Sequence, residues 1–123
     1  MKKYSIISFV ALVIIAISAP VFSAVEDYAG TYSGTYSGTD TGTWTVKLDS
    51  EGNGFGLSWS SIFNEPDVGS VTVNLSGIFT ASMNGGATII GNINPEGDVV
   101  GTWDNSLTRH HGTLTGRDRK SVV

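Results

Sequence analysis

Cysteine is absent from this 123-residue chain, proline occurs only 3 times, and charged residues make up just 15% of it. The first absence excludes a disulfide-stapled scaffold and a cysteine-linked lipid anchor, so a small fold has to be held by its core alone. With so little proline a collagen-like chain is excluded, and with so little charge a coiled coil. Basic residues are the scarcer of the two signs: 7 Lys and Arg against 11 Asp and Glu give a net charge of −4. That balance argues against nucleic acid as a partner, because phosphate binding needs a basic face. Apolar residues spaced i, i+3, i+4, i+7 are missing as well, and the 16 glycines recur too often for helix.

What is present begins with a cationic Met1-Lys2-Lys3, an apolar run from Ile6 to Ala19 broken only by serine, then Pro20 and the short stretch Val21-Phe22-Ser23-Ala24. Charged start, apolar middle and small-residue end describe a secretory signal peptide. The run is shorter than the roughly 20 apolar residues of a membrane-spanning helix. The expectation is a signal over residues 1–23, cut after Ser23, and a single domain over 24–123. That product is exported, periplasmic or extracellular, with no membrane span once the signal is removed.

Beyond the signal, alternation dominates. Even positions from Tyr28 to Leu48 interleave Tyr32, Tyr36, Trp44 and Val46 with Gly30, Gly34, Gly38 and Gly42, while odd positions from Thr31 to Thr45 are all Thr or Ser. Period two is the strand period, so one face is aromatic and glycine and the other is a hydroxyl ladder. Twenty-one residues far exceed a typical strand of about six, which predicts a turn near Gly38-Thr39-Asp40.

Three further turns are legible: Asn94-Pro95-Glu96-Gly97, Asp49-Ser50-Glu51-Gly52 and Asn84-Gly85-Gly86. Turning the chain at Asn84 and Asn94 pairs Ala81 with Ile89, Phe79 with Gly91, Gly91 with Gly101 and Ile89 with Trp103. One face then holds Val71, Val73, Leu75, Phe79, Met83, Ile93 and Val99, and the other is Thr, Ser and Asn. At the Asp49 turn, hydrophobic pattern and turn chemistry disagree. A three-residue loop sets Leu48 against Gly54 and turns Phe55, Leu57 and Trp59 outward, whereas the pattern favours Leu48 with Phe55 and Trp44 with Trp59. The pattern is preferred here. Leu48-Asp-Ser-Glu-Gly-Asn53 also echoes Ile93-Asn-Pro-Glu-Gly-Asp98, a likeness confined to a turn.

The fold expected is all-β: one antiparallel meander of six to eight short strands closing into a small soluble β-barrel, or alternatively folding into a β-sandwich. A membrane barrel needs strands of about 9–11 residues with an apolar outside, and a Thr/Ser/Asn outer face does not suit it. Glycine beside rings suggests an interior filled by side chains, so that binding uses the rim rather than a central cavity.

Residues with chemistry are few. Asp49-x-Glu51-x-Asn53-Gly54 imitates the start of a calcium loop, but Ser60 stands where a bidentate glutamate is required, and Asn92-x-Asn94-x-Glu96 ends the same way at Trp103. No metal or cofactor is expected. Ser106, His110 and Asp104 supply the residue types of nucleophile, base and acid, with no strained nucleophile turn or oxyanion site around them, so no enzyme is expected. The longest irregular stretch, Ser60 to Gly69, carries Ile62, Phe63 and Asn64, and binding residues concentrate on such loops. With His110 and His111, neighbours on opposite strand faces, these form the candidate ligand-binding set.

Gly42-Thr43-Trp44, Gly101-Thr102-Trp103 and Gly112-Thr113-Leu114 resemble the glycine-tryptophan strands of avidin-like and lipocalin-like small barrels. They are also similar to the glycine-rich barrels of transferrin-binding surface proteins. The resemblance implies a fold class and no particular ligand. Two functions are expected. The first is a small exported binding module, acting on a protein, glycan or small molecule through loops at one barrel end. The second is a structural or envelope-associated protein using its Thr/Ser-rich face.

Overall fold

The structure, a computed structural model, describes residues 23–119. A single 3-10 turn, Val25–Tyr28, precedes eight strands: β1 (Gly30–Gly38), β2 (Gly42–Leu48), β3 (Asn53–Ser60), β4 (Asp67–Val73), β5 (Ile78–Met83), β6 (Ala87–Ile93), β7 (Asp98–Asn105) and β8 (His110–Asp118). Each pairs antiparallel with the next, and β8 returns to β1 to close a barrel. The all-β meander read from the alternation is therefore the fold, closed as a barrel rather than stacked as a sandwich. The expected signal segment lies outside the described residues except for Ser23.

Every turn at one end has the same construction. Asp49-Ser-Glu-Gly52, Asn74-Leu-Ser-Gly77 and Asn94-Pro-Glu-Gly97 each close with the glycine N–H donating to the first residue's carbonyl, at 3.2, 2.9 and 2.9 Å. The glycines take φ of +84°, +83° and +88°, conformations that side-chain-bearing residues rarely adopt. The Asp49 and Asn74 side chains each accept two backbone N–H groups within their own turn. Turn chemistry thus accounts for the likeness between Leu48–Asn53 and Ile93–Asp98, and the same unit at Asn74 escaped the sequence reading. Each glycine carbonyl then accepts a hydrogen bond from a later strand: Gly52 from Val73, Gly77 from Ile93, Gly97 from Asp118. The ring of turns so formed is plugged by Tyr28, only 3% exposed. Its hydroxyl donates to the Leu75 carbonyl at 3.1 Å, and Tyr32 donates to the Tyr28 carbonyl at 2.8 Å.

The later hairpins pair as the pattern predicts, including Phe79 with Gly91, Ala81 with Ile89 and Ile89 with Trp103. The β2–β3 hairpin does not. Leu48 faces Gly54, Val46 faces Gly56 and Trp44 faces Ser58. The tight Asp49–Gly52 turn fixes this register, and a one-residue difference exchanges the faces of a strand. Phe55 and Trp59 consequently stand 53% and 40% exposed on the outer wall. Leu75 also departs from the expected inner face, because it lies in a turn and is 51% exposed. The irregular stretch is shorter than expected, since β3 runs through Ser60 and β4 begins at Asp67.

Candidate functional site

The barrel is hollow. A cavity of about 500 Å³ opens at the end away from the turn ring, which corrects the expectation of a filled interior. The large inner residues stand opposite glycine on the neighbouring strand: Tyr36 faces Gly42, Trp44 faces Gly34, Phe79 faces Gly91 and Trp103 faces Gly112. A Cβ at Gly42 would come 2.6 Å from the Tyr36 hydroxyl, one at Gly91 2.6 Å from the Phe79 ring and one at Gly112 2.8 Å from the Trp103 indole nitrogen. Trp44 crosses Gly34 and reaches over Gly116 on the strand beyond. The rings do occupy the space that glycine leaves, but they lie along the wall rather than across the axis. Indole N–H groups fix two of them, Trp44 on the Thr35 carbonyl at 3.2 Å and Trp103 on the Ser37 carbonyl at 3.1 Å. Opposite, the β2–β3 register points Gly54, Gly56, Ser58 and Ser60 inward, all of them small.

The cup is graded from base to mouth. Its depth is apolar, with Leu48, Val71, Phe79, Ile93, Val99 and Leu114 around the buried Tyr32. Burial, then the charge of Asp118 and the neighbouring Tyr28, pushes the Tyr32 phenol up to about 12. The mouth is polar and is formed by residues 39–41, 61–66, 84–86 and 106–109 with the adjoining strand ends. Asp40, Ser60, Glu65, Asp67, Asn105 and His110 line it, and among the described residues no Lys or Arg lines the cavity. Hydrogen bonds cross-link this rim. Ser60 donates to Asp40 at 2.9 Å, the Gly85 N–H donates to both Asp67 oxygens at 3.0 and 3.1 Å, and Asn105 donates to the Gly85 carbonyl at 3.0 Å. Such a mouth is held open before any ligand arrives.

The five expected binding residues separate. Phe63 and His110 border the cavity, the first from the 61–66 segment and the second from the inner face of β8. Ile62 and Asn64 are exposed on that segment without lining the cavity, and His111 points outward, its backbone tied to Thr39. Asp104 and Ser106 do not join His110: Asp104 is on the outer wall opposite His111, and Ser106 is exposed in the following turn. Sequence reasoning missed Tyr36, Asp40, Ser60 and Asp67 as mouth residues. The usable signal was Gly42 opposite a tyrosine, together with the small inner face of β3.

On the outer wall, hydroxyls gather as the alternation implies. Thr35 has Thr43 on one side and Thr115 on the other, and Ser37 faces Thr113. The barrel and its glycine-tryptophan strands suit the resemblance to small exported barrels at the level of architecture. Compared with known proteins, the chain matches no family model and no curated protein.

Proposed function

We propose that this protein is a small exported binding protein that holds one largely apolar molecule in the barrel, admitted through the mouth between Asp40, Phe63, Asp67 and His110. The carrying observation is the cavity itself. Its volume of about 500 Å³ falls within the range of roughly 300–1,000 Å³ typical of small-molecule sites. An apolar depth with a few polar groups at one end is the usual make-up of such sites. Supporting the reading, Trp44 and Trp103 line the cup, so a bound molecule sits against two natural reporters. Titration with the neutral probe N-phenyl-1-naphthylamine is expected to quench tryptophan emission saturably, one to one, at micromolar concentration. Linear, unsaturable quenching overturns the proposal. Export is supported by the Lys2-Lys3 start and the Ile6–Ala19 apolar run, and an intact mass beginning at Ala24 is the expected result for the secreted product.

A second reading has its own observation, the hydroxyl rows Thr115–Thr35–Thr43 and Thr113–Ser37 across three adjacent strands. An envelope-facing role through that wall predicts that Thr35→Lys abolishes retention on cell-envelope extracts while leaving probe binding intact.

A further inference from the structure

We infer, on the reading that the cup holds a small apolar molecule, that its ligand is an amphiphile with a cationic nitrogen at the head, seated at the mouth between the Asp40 and Asp67 carboxylates and the Tyr36–Trp103 ring pair. Three carboxylates, Asp40, Glu65 and Asp67, line the cavity, and none is paired with a cation among the described residues. Among the described residues, the one other ionisable side chain of the mouth, apart from the tyrosines, is His110. An anionic head, such as a fatty-acid carboxylate, meets three carboxylates there against the single imidazole of His110.

The aromatic surface makes the same selection. Tyr36 and Trp103 meet edge to face, with ring centroids 5.5 Å apart and planes at 79°. The Tyr36 hydroxyl lies 3.5 Å from an Asp40 oxygen, so rings and carboxylate share one corner of the mouth. Cations are attracted to the faces of Trp and Tyr, and more strongly where water is excluded. Asp40 is also oriented in advance, accepting from Ser60 at 2.9 Å and from the Thr41 N–H at 2.8 Å on the same oxygen. Its second oxygen carries only the long Tyr36 contact and is the one available to an ammonium or amine. The apolar depth behind it, from Trp44 to Ile93 and Leu114, takes the hydrocarbon part.

Three probes with the same tail decide the head group: dodecyltrimethylammonium, dodecanoate and dodecanol, each titrated against the full exported protein by tryptophan emission. The expected result is that the ammonium binds at least about tenfold more tightly than dodecanoate, with an advantage that shrinks as salt is raised. Asp40→Asn keeps an oxygen for Ser60 and Thr41, and it is expected to remove most of the ammonium-over-dodecanoate advantage. Glu65→Gln, at an exposed position, is the second variant and is expected to shift the ratio in the same direction. Equal affinity for the two charged probes, or a preference for dodecanoate, overturns the cationic-head inference and leaves the cup reading standing. Failure of all three probes, dodecanol included, overturns the cup reading and this inference with it.

Discussion

Leu48 faces Gly54 across the β2–β3 ladder, and this single pairing places Phe55 and Trp59 on the outer wall and turns Gly56, Ser58 and Ser60 toward the lumen. The consequence reaches from a four-residue turn to the function proposed. A strand whose inner face is glycine and serine leaves one side of the barrel bare, and the rings of β1, β2 and β7 do not cross to cover it. The cavity is the space that remains.

Filling that side should close the site without harming the fold. Ser58 faces Trp44 and lines the cavity. Ser58→Leu is expected to weaken binding of a neutral apolar probe by at least about tenfold while the melting temperature does not fall, since a leucine entering a void gains burial. Probe titration and thermal unfolding of the same sample check both halves. Unchanged probe affinity places the ligand elsewhere.

The opposite outcome is expected at Gly112. There a Cβ would run into the Ser37 carbonyl and come 2.8 Å from the Trp103 indole nitrogen, whose N–H bonds that same carbonyl. Gly112→Ala should destabilise by roughly 1–3 kcal/mol, as overpacking does. Gly56→Ala is the control: its Cβ would meet the Val46 methyl at 3.2 Å and no closer atom, and it should cost less. Urea unfolding of the two variants gives the comparison.

Register itself is testable through tryptophan. Trp59 is 40% exposed, and Trp44 is 8% exposed. Trp59→Thr should change stability by no more than about 0.5 kcal/mol, whereas Trp44→Ala should cost about 3–5 kcal/mol. Acrylamide should quench Trp59 preferentially in the parent protein. A large loss for Trp59→Thr contradicts the Leu48–Gly54 pairing.

Alkaline pH should unfold this barrel through its base. The Tyr32 phenol rises from 10.0 to about 12, because burial, then Asp118 and Tyr28, disfavours the phenolate. The neutral form is therefore preferred by the folded state. The stability it contributes is whole below pH 10 and is lost as pH climbs from 10 to about 12, at most roughly 2–3 kcal/mol. Tyr28 and Tyr36 are raised too, also chiefly by burial, and add to the same decline. Tyr32→Phe loses the hydrogen bond to the Tyr28 carbonyl, worth about 1 kcal/mol. It should be the less stable protein at neutral pH and show a shallower loss above pH 10, read by denaturant titrations across that window.

The sequence by itself determined the strand period, the antiparallel meander and the outward hydroxyl wall, because alternation and turn residues are local properties that survive without knowledge of the neighbours. Asn94-Pro-Glu-Gly97 and Asn84-Gly-Gly86 fixed their registers unaided, since turn and pattern agreed there. At Asp49 they disagreed. The backbone hydrogen bonds of the turn won, because they are closed within four residues, while Phe55 and Trp59 can remain partly exposed on a strand at modest cost. Tertiary structure alone decided that β8 meets β1 and that the aromatic rings lie along the wall on facing glycines. It also decided that Asp40, Ser60, Asp67 and His110, separated by up to 70 residues in the chain, gather at one mouth. Alternation tells which way a side chain points; how much of the space inside a barrel it fills depends on what stands across from it, and that is settled only when all eight strands are closed.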